Sequence, residues 1–224
     1  MNPAKRILAV LLCAALLIGV LCACGKTTDA GTDTDTNDDS VAQRLYDTDV
    51  AAPDLTNATE ITLSGADDVT ITDGGVYVLT GTLTDGRMLV NAPGADVTLV
   101  LRDADITCVD SSALYIYKAA SVLVYLPDGT ASTLTDGSSY DDSDSFSSAD
   151  DEEPNACLCA KSDLIIAGGG TLTVTGNANN GITGKDTLKI EGTTVNVTAA
   201  NHGINGKDCL VLKQADVTVT SGGD

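Results

Sequence analysis

The sequence predicts an all-β fold in which short parallel rungs stack into a β-solenoid. The main observation is an internal repeat between residue 177 and the C-terminus, where six residues recur at a spacing of 22 positions. Fixed periods of this kind are typical of stacked-repeat proteins, in which each unit buries its apolar face only against its neighbours. The recurring pairs are Gly181 and Gly203, Lys185 and Lys207, Asp186 and Asp208, Leu188 and Leu210, Val195 and Val217, and Val197 and Val219.

The second observation is the alternation of apolar residues inside each repeat, as in Leu188-x-Ile190 and Val195-x-Val197. A two-residue period predicts strands, and the Gly- and Asn-rich corners leave no room for the helices of ankyrin or tetratricopeptide repeats. Pairs such as Asp85-Gly86 could also close hairpins, which makes a β-sandwich the alternative fold. The fixed period favours stacked rungs of about 22 residues over the sandwich.

The first 23 residues predict an export signal. Lys5 and Arg6 precede a short apolar run, which is the pattern of a secretory signal peptide rather than of a membrane span. The run ends in Leu21-Cys22-Ala23-Cys24, which resembles a bacterial lipobox and makes Cys24 the expected lipidation site. An ordinary signal peptide cut near the same place is the alternative. Acyl chains on Cys24 would anchor a bacterial lipoprotein to the extracellular face of the cell membrane.

Residues 24–57 predict an acidic, disordered linker between the lipid anchor and the folded domain. Residues 25–40 consist mainly of Thr, Asp and Gly, so this segment cannot offset the entropy of ordering. Without residues 1–23, the chain has 10 Lys and Arg against 32 Asp and Glu, a net charge of −22. This charge argues against nucleic acid as a partner and against membrane contact other than through the lipid anchor.

Residues 58–224 predict one β domain that carries an acidic loop insertion at residues 136–156. The insertion is rich in Ser, Asp and Glu, and Tyr140 and Phe146 are its only large apolar residues. As a loop on one face it could form a binding surface, and a disordered acidic excursion is the alternative. The chain stops in the corner formed by residues 221–224, within a repeat, so we expect the natural protein to continue beyond it.

Several motifs follow one another along the β domain. They are Gly-x-Leu-x-Asp-Gly (81–86), Glu-Glu-Pro-Asn-Ala (152–156), Lys-Ser-Asp-Leu-x-Ile (161–166), Gly-Gly-Gly-Thr-Leu-x-Val (168–174), and the repeated Gly-Ile-x-x-Lys-Asp (181–186 and 203–208). On these motifs, residues 59–224 resemble the carbohydrate-binding domain family of exported clostridial-type proteins. The resemblance implies a right-handed parallel β-helix related to pectate lyases, calcium as a cofactor, and binding of cellulose and polygalacturonate rather than their cleavage.

The repeated aspartates give the calcium prediction a physical basis. Equivalent positions of stacked parallel strands lie about 4.7–4.9 Å apart, so Asp186 and Asp208 are expected to face each other along one edge. A Ca²⁺ ion, which takes oxygen ligands at about 2.3–2.6 Å, would turn the repulsion of the two carboxylates into a site. The alternative is that Lys185 and Lys207 neutralise the carboxylates and no ion binds.

The resemblance adds two candidate metal ligands. Relatives commonly carry Asp directly before Gly-Ile, where this chain has Asn180 and His202. Asp224 follows His202 by 22 positions, so the next repeat has an acidic residue at the position that His202 occupies. The expected metal-binding residues are therefore Asp186, Asp208, Asp224 and Asn180.

Two function classes stay open at this stage. The first is a calcium-dependent module on the cell surface that binds pectin-like or cellulose-like polysaccharide. The second is a structural or adhesive calcium-binding surface solenoid. A polysaccharide lyase is a weaker third possibility, because Arg87 and Arg102, the arginines beyond the linker, lie far in sequence from the Asp pair, and we predict no catalytic residue.

Aromatic and thiol side chains complete the expectations. Tyr115 and Tyr117 share a strand face and could form a small aromatic strip with Tyr125, although no residue is assigned to carbohydrate binding. Cys157 and Cys159 are also expected to share one strand face. Alternation would place them about 6.6–7 Å apart, so we expect buried free thiols there rather than a disulfide.

Overall fold

The computed structural model describes residues 36–141 and 154–223. These residues form one helix and seventeen strands, and none of their helical structure is long and apolar enough to cross a membrane. The helix is α1 (Thr36–Asp47). The strands are β1 (Thr59–Leu63), β2 (Val69–Ile71), β3 (Gly75–Leu83), β4 (Met88–Asn91), β5 (Asp96–Cys108), β6 (Leu114–Lys118), β7 (Ser121–Leu126), β8 (Ala131–Asp136), β9 (Ala156–Ala160), β10 (Asp163–Gly168), β11 (Thr171–Gly176), β12 (Asn180–Gly184), β13 (Thr187–Glu191), β14 (Thr194–Ala199), β15 (Ile204–Gly206), β16 (Cys209–Lys213) and β17 (Asp216–Ser221).

The strands form two sheets, and the strand pairs described in both are parallel. Sheet A has eleven strands, nine of which follow the order β16-β13-β10-β7-β5-β8-β11-β14-β17, while β3 pairs with β5 and β1 pairs with β3. Sheet B has six strands in the order β15-β12-β9-β6-β4-β2. Parallel pairing excludes the alternative β-sandwich, which would need antiparallel hairpins.

The prediction of a right-handed parallel β-helix, or β-solenoid, is wrong, because the larger sheet is continuous around a corner. Strand β5 runs for 13 residues; its first half pairs with β7 and its second half with β8. The strand bends at Asp103, whose φ of 53° lies in the left-handed region. Buried positions change there from the odd-numbered Leu99 and Leu101 to the even-numbered Ala104 and Ile106. The fold is therefore all-β, with a curled half-barrel sheet and a second parallel sheet.

Residues that recur at the 22-residue spacing lie side by side on neighbouring strands. Leu188 of β13 pairs with Leu210 of β16, and Val195 of β14 pairs with Val217 of β17. Apolar side chains of both sheets pack into one cluster, in which Leu188 and Val195 are fully buried. Burying such a side chain stabilises a fold by about 1.5–3 kcal/mol, so each repeat contributes through contacts with the next.

The repeated glycine of the Gly-Ile motif is required by close packing. A Cβ atom on Gly181 would lie 2.2 Å from Cγ1 of Val197 and 2.6 Å from the carbonyl oxygen of Gly203. A Cβ atom on Gly203 would lie 2.1 Å from Cγ1 of Val219. Real Cβ atoms do not approach other atoms this closely, so the two glycines allow the starts of β12 and β15 to pack directly against β14 and β17 of sheet A.

Part of the predicted disordered linker, residues 24–57, is in fact ordered. Helix α1 places Ala42, Leu45 and Tyr46 against Cys209 and Val211 of β16. The acidic composition of residues 25–40 does not predict this helix. The apolar residues of the helix come after the acidic run, at helical spacing, and they are buried only because a distant part of the chain covers them. The predicted signal segment 1–23, Cys24, residues 142–153 of the insertion and Asp224 lie outside the described residues.

Candidate functional site

The candidate site lies where strands of sheet B end and the chain turns into sheet A. After β12 the chain passes through Lys185 and Asp186 into β13, and one repeat later it passes through Lys207 and Asp208 into β16. The amide of Asp208 donates a hydrogen bond to the carbonyl oxygen of Asp186, with an N···O distance of 3.3 Å. The structure thus brings the two predicted metal ligands together in adjacent repeats. Both are exposed at this edge.

The electrostatics of this edge are those of crowded carboxylates. The pKa of Asp186 is raised, first by partial burial and then by the negative charges of Asp163 and Asp208. The ammonium group of Lys207 acts in the opposite direction and lowers that pKa. A lysine therefore offsets part of the repulsion between the carboxylates but does not remove it.

Asp163 is a member of this edge that the sequence prediction missed. Its Oδ1 accepts hydrogen bonds from the amide of Thr187 at 3.2 Å and from the Thr187 hydroxyl at 2.6 Å. The signal was present in Lys161-Ser162-Asp163, where one extra residue separates the lysine from the aspartate. Lys161 and Leu164 both precede their counterparts, Lys185 and Leu188, by 24 positions, so Ser162 takes the position of Asp186 and the acid is displaced by one residue. A comparison of equivalent positions therefore does not reveal Asp163.

Asn180 lies at the opposite end of β12 from Asp186. The strand spans five residues, so about 15–20 Å separate the two positions. Asn180 is buried, and its Oδ1 accepts a hydrogen bond from the amide of His202 at 3.1 Å. Asn201 likewise donates from Nδ2 to Oδ1 of Asn179 at 2.9 Å. The structure therefore places Asn180 at a buried corner beside the Asn179–Asn201 pair and does not bring it to Asp186 and Asp208.

Carboxylates at the edge are fewer than a closed metal site needs. Among residues 36–141 and 154–223, no group of three or more His, Cys, Asp or Glu side chains is placed to hold a metal ion. Asp186 and Asp208 form a pair at an open edge, and Asp163 is engaged by Thr187. This arrangement can attract a cation but leaves most coordination positions to other oxygen donors.

The tyrosines divide between the two sheets. Tyr115 and Tyr117 lie on β6 of sheet B with their ring centroids 5.9 Å apart, and Tyr115 is buried. Lys161 Nζ lies 5.1 Å from the centroid of the Tyr117 ring, and Lys118 Nζ lies 4.5 Å from it. Tyr125 lies on β7 of sheet A and lines a small surface cavity with Glu191 and Gln214. The predicted three-tyrosine strip therefore reduces to the pair on sheet B.

Comparisons with known proteins agree with this architecture. A carbohydrate-binding domain-containing protein of Acetivibrio thermocellus (strain ATCC 27405) is 39% identical over 133 residues, a match that covers 59% of this chain and 45% of that relative. The solved polysaccharide lyase-like protein from C. thermocellum, described as a gadolinium derivative, superimposes with a TM-score of 0.59 at 27% identity. That superposition covers 73% of this chain and 91% of the other. Residues 65–224, which contain both sheets from β2 onward and the Asp edge, match the family described as carbohydrate-binding domain-containing protein, and the chain belongs to that family.

Proposed function

We propose that this chain binds acidic, plant-type polysaccharide at the cell surface with the help of calcium. Family membership and the similarity to a polysaccharide lyase-like structure support polysaccharide binding in general. The finer assignment rests on one observation, the stacking of Asp186 and Asp208 in adjacent repeats. Polygalacturonate is the proposed ligand, and cellulose is the second polymer to be tested.

Calcium fits the chemistry of this pair. Ca²⁺ takes six to eight oxygen ligands, of which Asp186 and Asp208 would supply carboxylates. Burial, and after it the negative charges of Asp163 and Asp208, raise the pKa of Asp186, and a divalent cation would relieve the repulsion between these charges. Because the edge is open, the remaining positions are left to water or to carboxylates of a bound polymer. Calcium would then join protein and uronate by shared coordination.

The proposed location is the extracellular face of the cell membrane, through a lipid on Cys24. The lipobox-like ending of the apolar run supports this placement. Cells that express the chain with Cys24 should incorporate labelled palmitate into it, and cells that express Cys24→Ser should not. Equal labelling of both proteins would remove the lipid anchor from the proposal.

A polysaccharide lyase is the second candidate, because the similar solved structure is that of a polysaccharide lyase-like protein. Abstraction of a proton next to a uronate carboxyl group needs a base. Arg87 is poorly suited to this role, since its Nε forms an ion pair with Asp68 at 3.1 Å and its guanidinium also donates to Ser111. We therefore favour binding over cleavage.

The test is electrophoresis of the chain from residue 24 onward, with Cys24→Ser, through gels that contain polygalacturonate. Calcium and then a chelator are added, and unsaturated uronide product is followed by its ultraviolet absorbance. Retardation that chelation reverses is the expected result. Retardation that is insensitive to chelator would remove calcium from the proposal, and product formation would establish the lyase. Absence of retardation on polygalacturonate and cellulose would leave a structural or adhesive surface protein.

A further inference from the structure

Three lysines form a column across sheet B. The amide of Lys161 donates to the carbonyl oxygen of Ile116 at 2.9 Å, which places Lys161 opposite Tyr117. In the same way the backbone amide of Lys185 donates to the carbonyl oxygen of Ala160 at 2.8 Å, and that of Lys207 donates to the carbonyl oxygen of Gly184 at 2.9 Å. Each lysine therefore lies opposite the next in parallel register, and the backbone spacing between them is about 4.7–4.9 Å.

The column lies directly after the last residues of β9, β12 and β15, at the end of sheet B, and Lys161 shows its outward direction. Ile116 and Ala160, which precede Tyr117 and Lys161, pack inward in the main core. Side chains of successive strand residues point to opposite faces, so Tyr117 and Lys161 point outward. The contact of Lys161 Nζ with the Tyr117 ring, 5.1 Å from its centroid, agrees with this direction. Lys118 extends the cationic surface at the preceding repeat, over the same ring.

Positive charge is concentrated here in a chain that is strongly acidic elsewhere. The segment 58–224 contains eight Lys and Arg, and four of them are Lys118, Lys161, Lys185 and Lys207. Lysines placed one above another repel each other by about 1 kcal/mol per neighbouring pair even in water. Asp186 and Asp208 follow two of them directly in sequence and offset part of this cost. Such a column is therefore suited to a ligand that carries regularly spaced negative charge.

We propose that Lys161, Lys185 and Lys207, with Lys118 and the Tyr117 ring, bind the carboxylates of an extended uronate polymer laid across the strands of sheet B. This inference rests on the proposed function and names its sugar-binding surface. One ammonium group per repeat matches a polymer with one carboxylate per sugar. Ammonium–carboxylate pairs act as point-charge contacts and tolerate small mismatches in spacing. The half-buried Tyr117 ring offers an apolar face beside the charges.

The test compares Lys185→Gln/Lys207→Gln with Arg44→Gln/Arg102→Gln in the Cys24→Ser chain. Both double variants change the net charge by the same amount, but the arginine variants lie on α1 and β5, away from the column. We expect the lysine variant to bind polygalacturonate about 3- to 20-fold more weakly than the parent chain in the presence of calcium, since each exposed ion pair contributes a few-fold. Its affinity should also depend less on salt concentration. The arginine variant should match the parent chain.

Two further measurements distinguish this lysine surface from the proposed calcium site at Asp186 and Asp208. Fully methyl-esterified polygalacturonate has the same backbone without the charge, so the lysine substitutions should not change its binding. Calcium affinity should be unchanged or higher in the lysine variant, because Lys207 is a positive neighbour of Asp186. Equal loss of both polymers would instead indicate structural damage, which thermal unfolding of the variants would detect, and would overturn the assignment.

The outcomes also separate this inference from the proposed function. If the parent chain binds polygalacturonate and the lysine variant binds it equally well, the lysine surface is wrong and the proposed function stands. If the parent chain binds only cellulose, the uronate surface is wrong while polysaccharide binding stands. If the parent chain binds no polysaccharide, the lysine surface and the proposed function are both wrong. Retention on another polyanion would then show that the lysines bind anionic polymers in general.

Discussion

Lys189 and Glu191 form an ion pair beneath the segment that follows helix α1, with 2.6 Å between Nζ and Oε2. Lys189 is 2% exposed, and its Nζ also donates to the carbonyl oxygen of Thr48. Lys213 lies on the other side, with its Nζ 3.7 Å from Oε1 of Glu191 and 2.5 Å from Oδ1 of Asp49. These contacts hold residues 48–49 against sheet A, so the start of the described chain is joined to the last repeats.

Lys189→Met is expected to lower the free energy of unfolding by about 3 kcal/mol, because it leaves Glu191 buried with a more distant cation. The double variant Lys189→Met/Glu191→Leu is expected to recover most of that loss, since replacing a buried pair by apolar residues is often close to neutral. Urea unfolding of the parent, both single variants and the double variant measures the coupling. A loss below about 1 kcal/mol in the lysine variant would show that the pair contributes little.

Asp186→Asn is expected to have opposite effects with and without calcium. In chelator the substitution removes a charge that Asp163 and Asp208 oppose, so the melting temperature should stay the same or rise slightly. With calcium present, the variant should lose most of the increase in melting temperature that the ion gives the parent chain. Asp216→Asn, at an exposed position of β17, is the matched control. An unchanged calcium response in Asp186→Asn would exclude the Asp pair as the site.

Asp136 should give the protein a pH-dependent stability. Its side chain is buried and accepts a hydrogen bond from the Tyr140 hydroxyl at 2.6 Å, and burial raises its pKa despite that bond. The folded state therefore binds the proton more tightly than the unfolded state. The contribution of Asp136 is most favourable below its unfolded pKa of about 3.9 and declines as the pH rises through the folded pKa.

The measurement is the difference in unfolding free energy between the parent chain and Asp136→Asn, taken from urea unfolding between about pH 4 and pH 7. Asn keeps an oxygen that can accept the hydrogen bond from the Asn177 amide but cannot ionise. The difference should shift in favour of the variant as the pH rises. A difference that is flat, or that shifts toward the parent chain, would contradict the raised pKa.

The repeat could be predicted from the sequence because the pairing is periodic. Residues 22 apart pair in register, and this periodicity was sufficient to place Asp186 beside Asp208. The continuity of sheet A was not predictable in the same way. It depends on Asp103, a single non-glycine residue in a left-handed conformation, which lets β5 turn a corner without ending. A repeat period identifies which strands are neighbours. It does not show whether the strands on the two sides of the bend in β5 belong to one continuous sheet.

Local composition gives wrong expectations where the decisive contacts are distant in sequence. Residues 36–47 look like an acidic linker, and their helix is stabilised by Cys209 and Val211, more than 160 positions away. Cys157 and Cys159 were expected on one face, but Cys157 packs in the main core together with Leu158, while Cys159 packs outside it with Leu89 and Tyr115. Both cysteines are buried and neither forms a disulfide in the described part of the chain, and the start of β9 interrupts the alternation.

The in-register column of Lys161, Lys185 and Lys207 gives a repetitive ligand several equivalent positions. A polymer that engages two neighbouring lysines can do so in two placements, a statistical gain of a factor of two in affinity, or about 0.4 kcal/mol. It can also shift by one repeat while one contact remains, because the second contact re-forms at high effective concentration. Movement along the polymer would then not require full release, and the protein could diffuse along a fibre while staying bound.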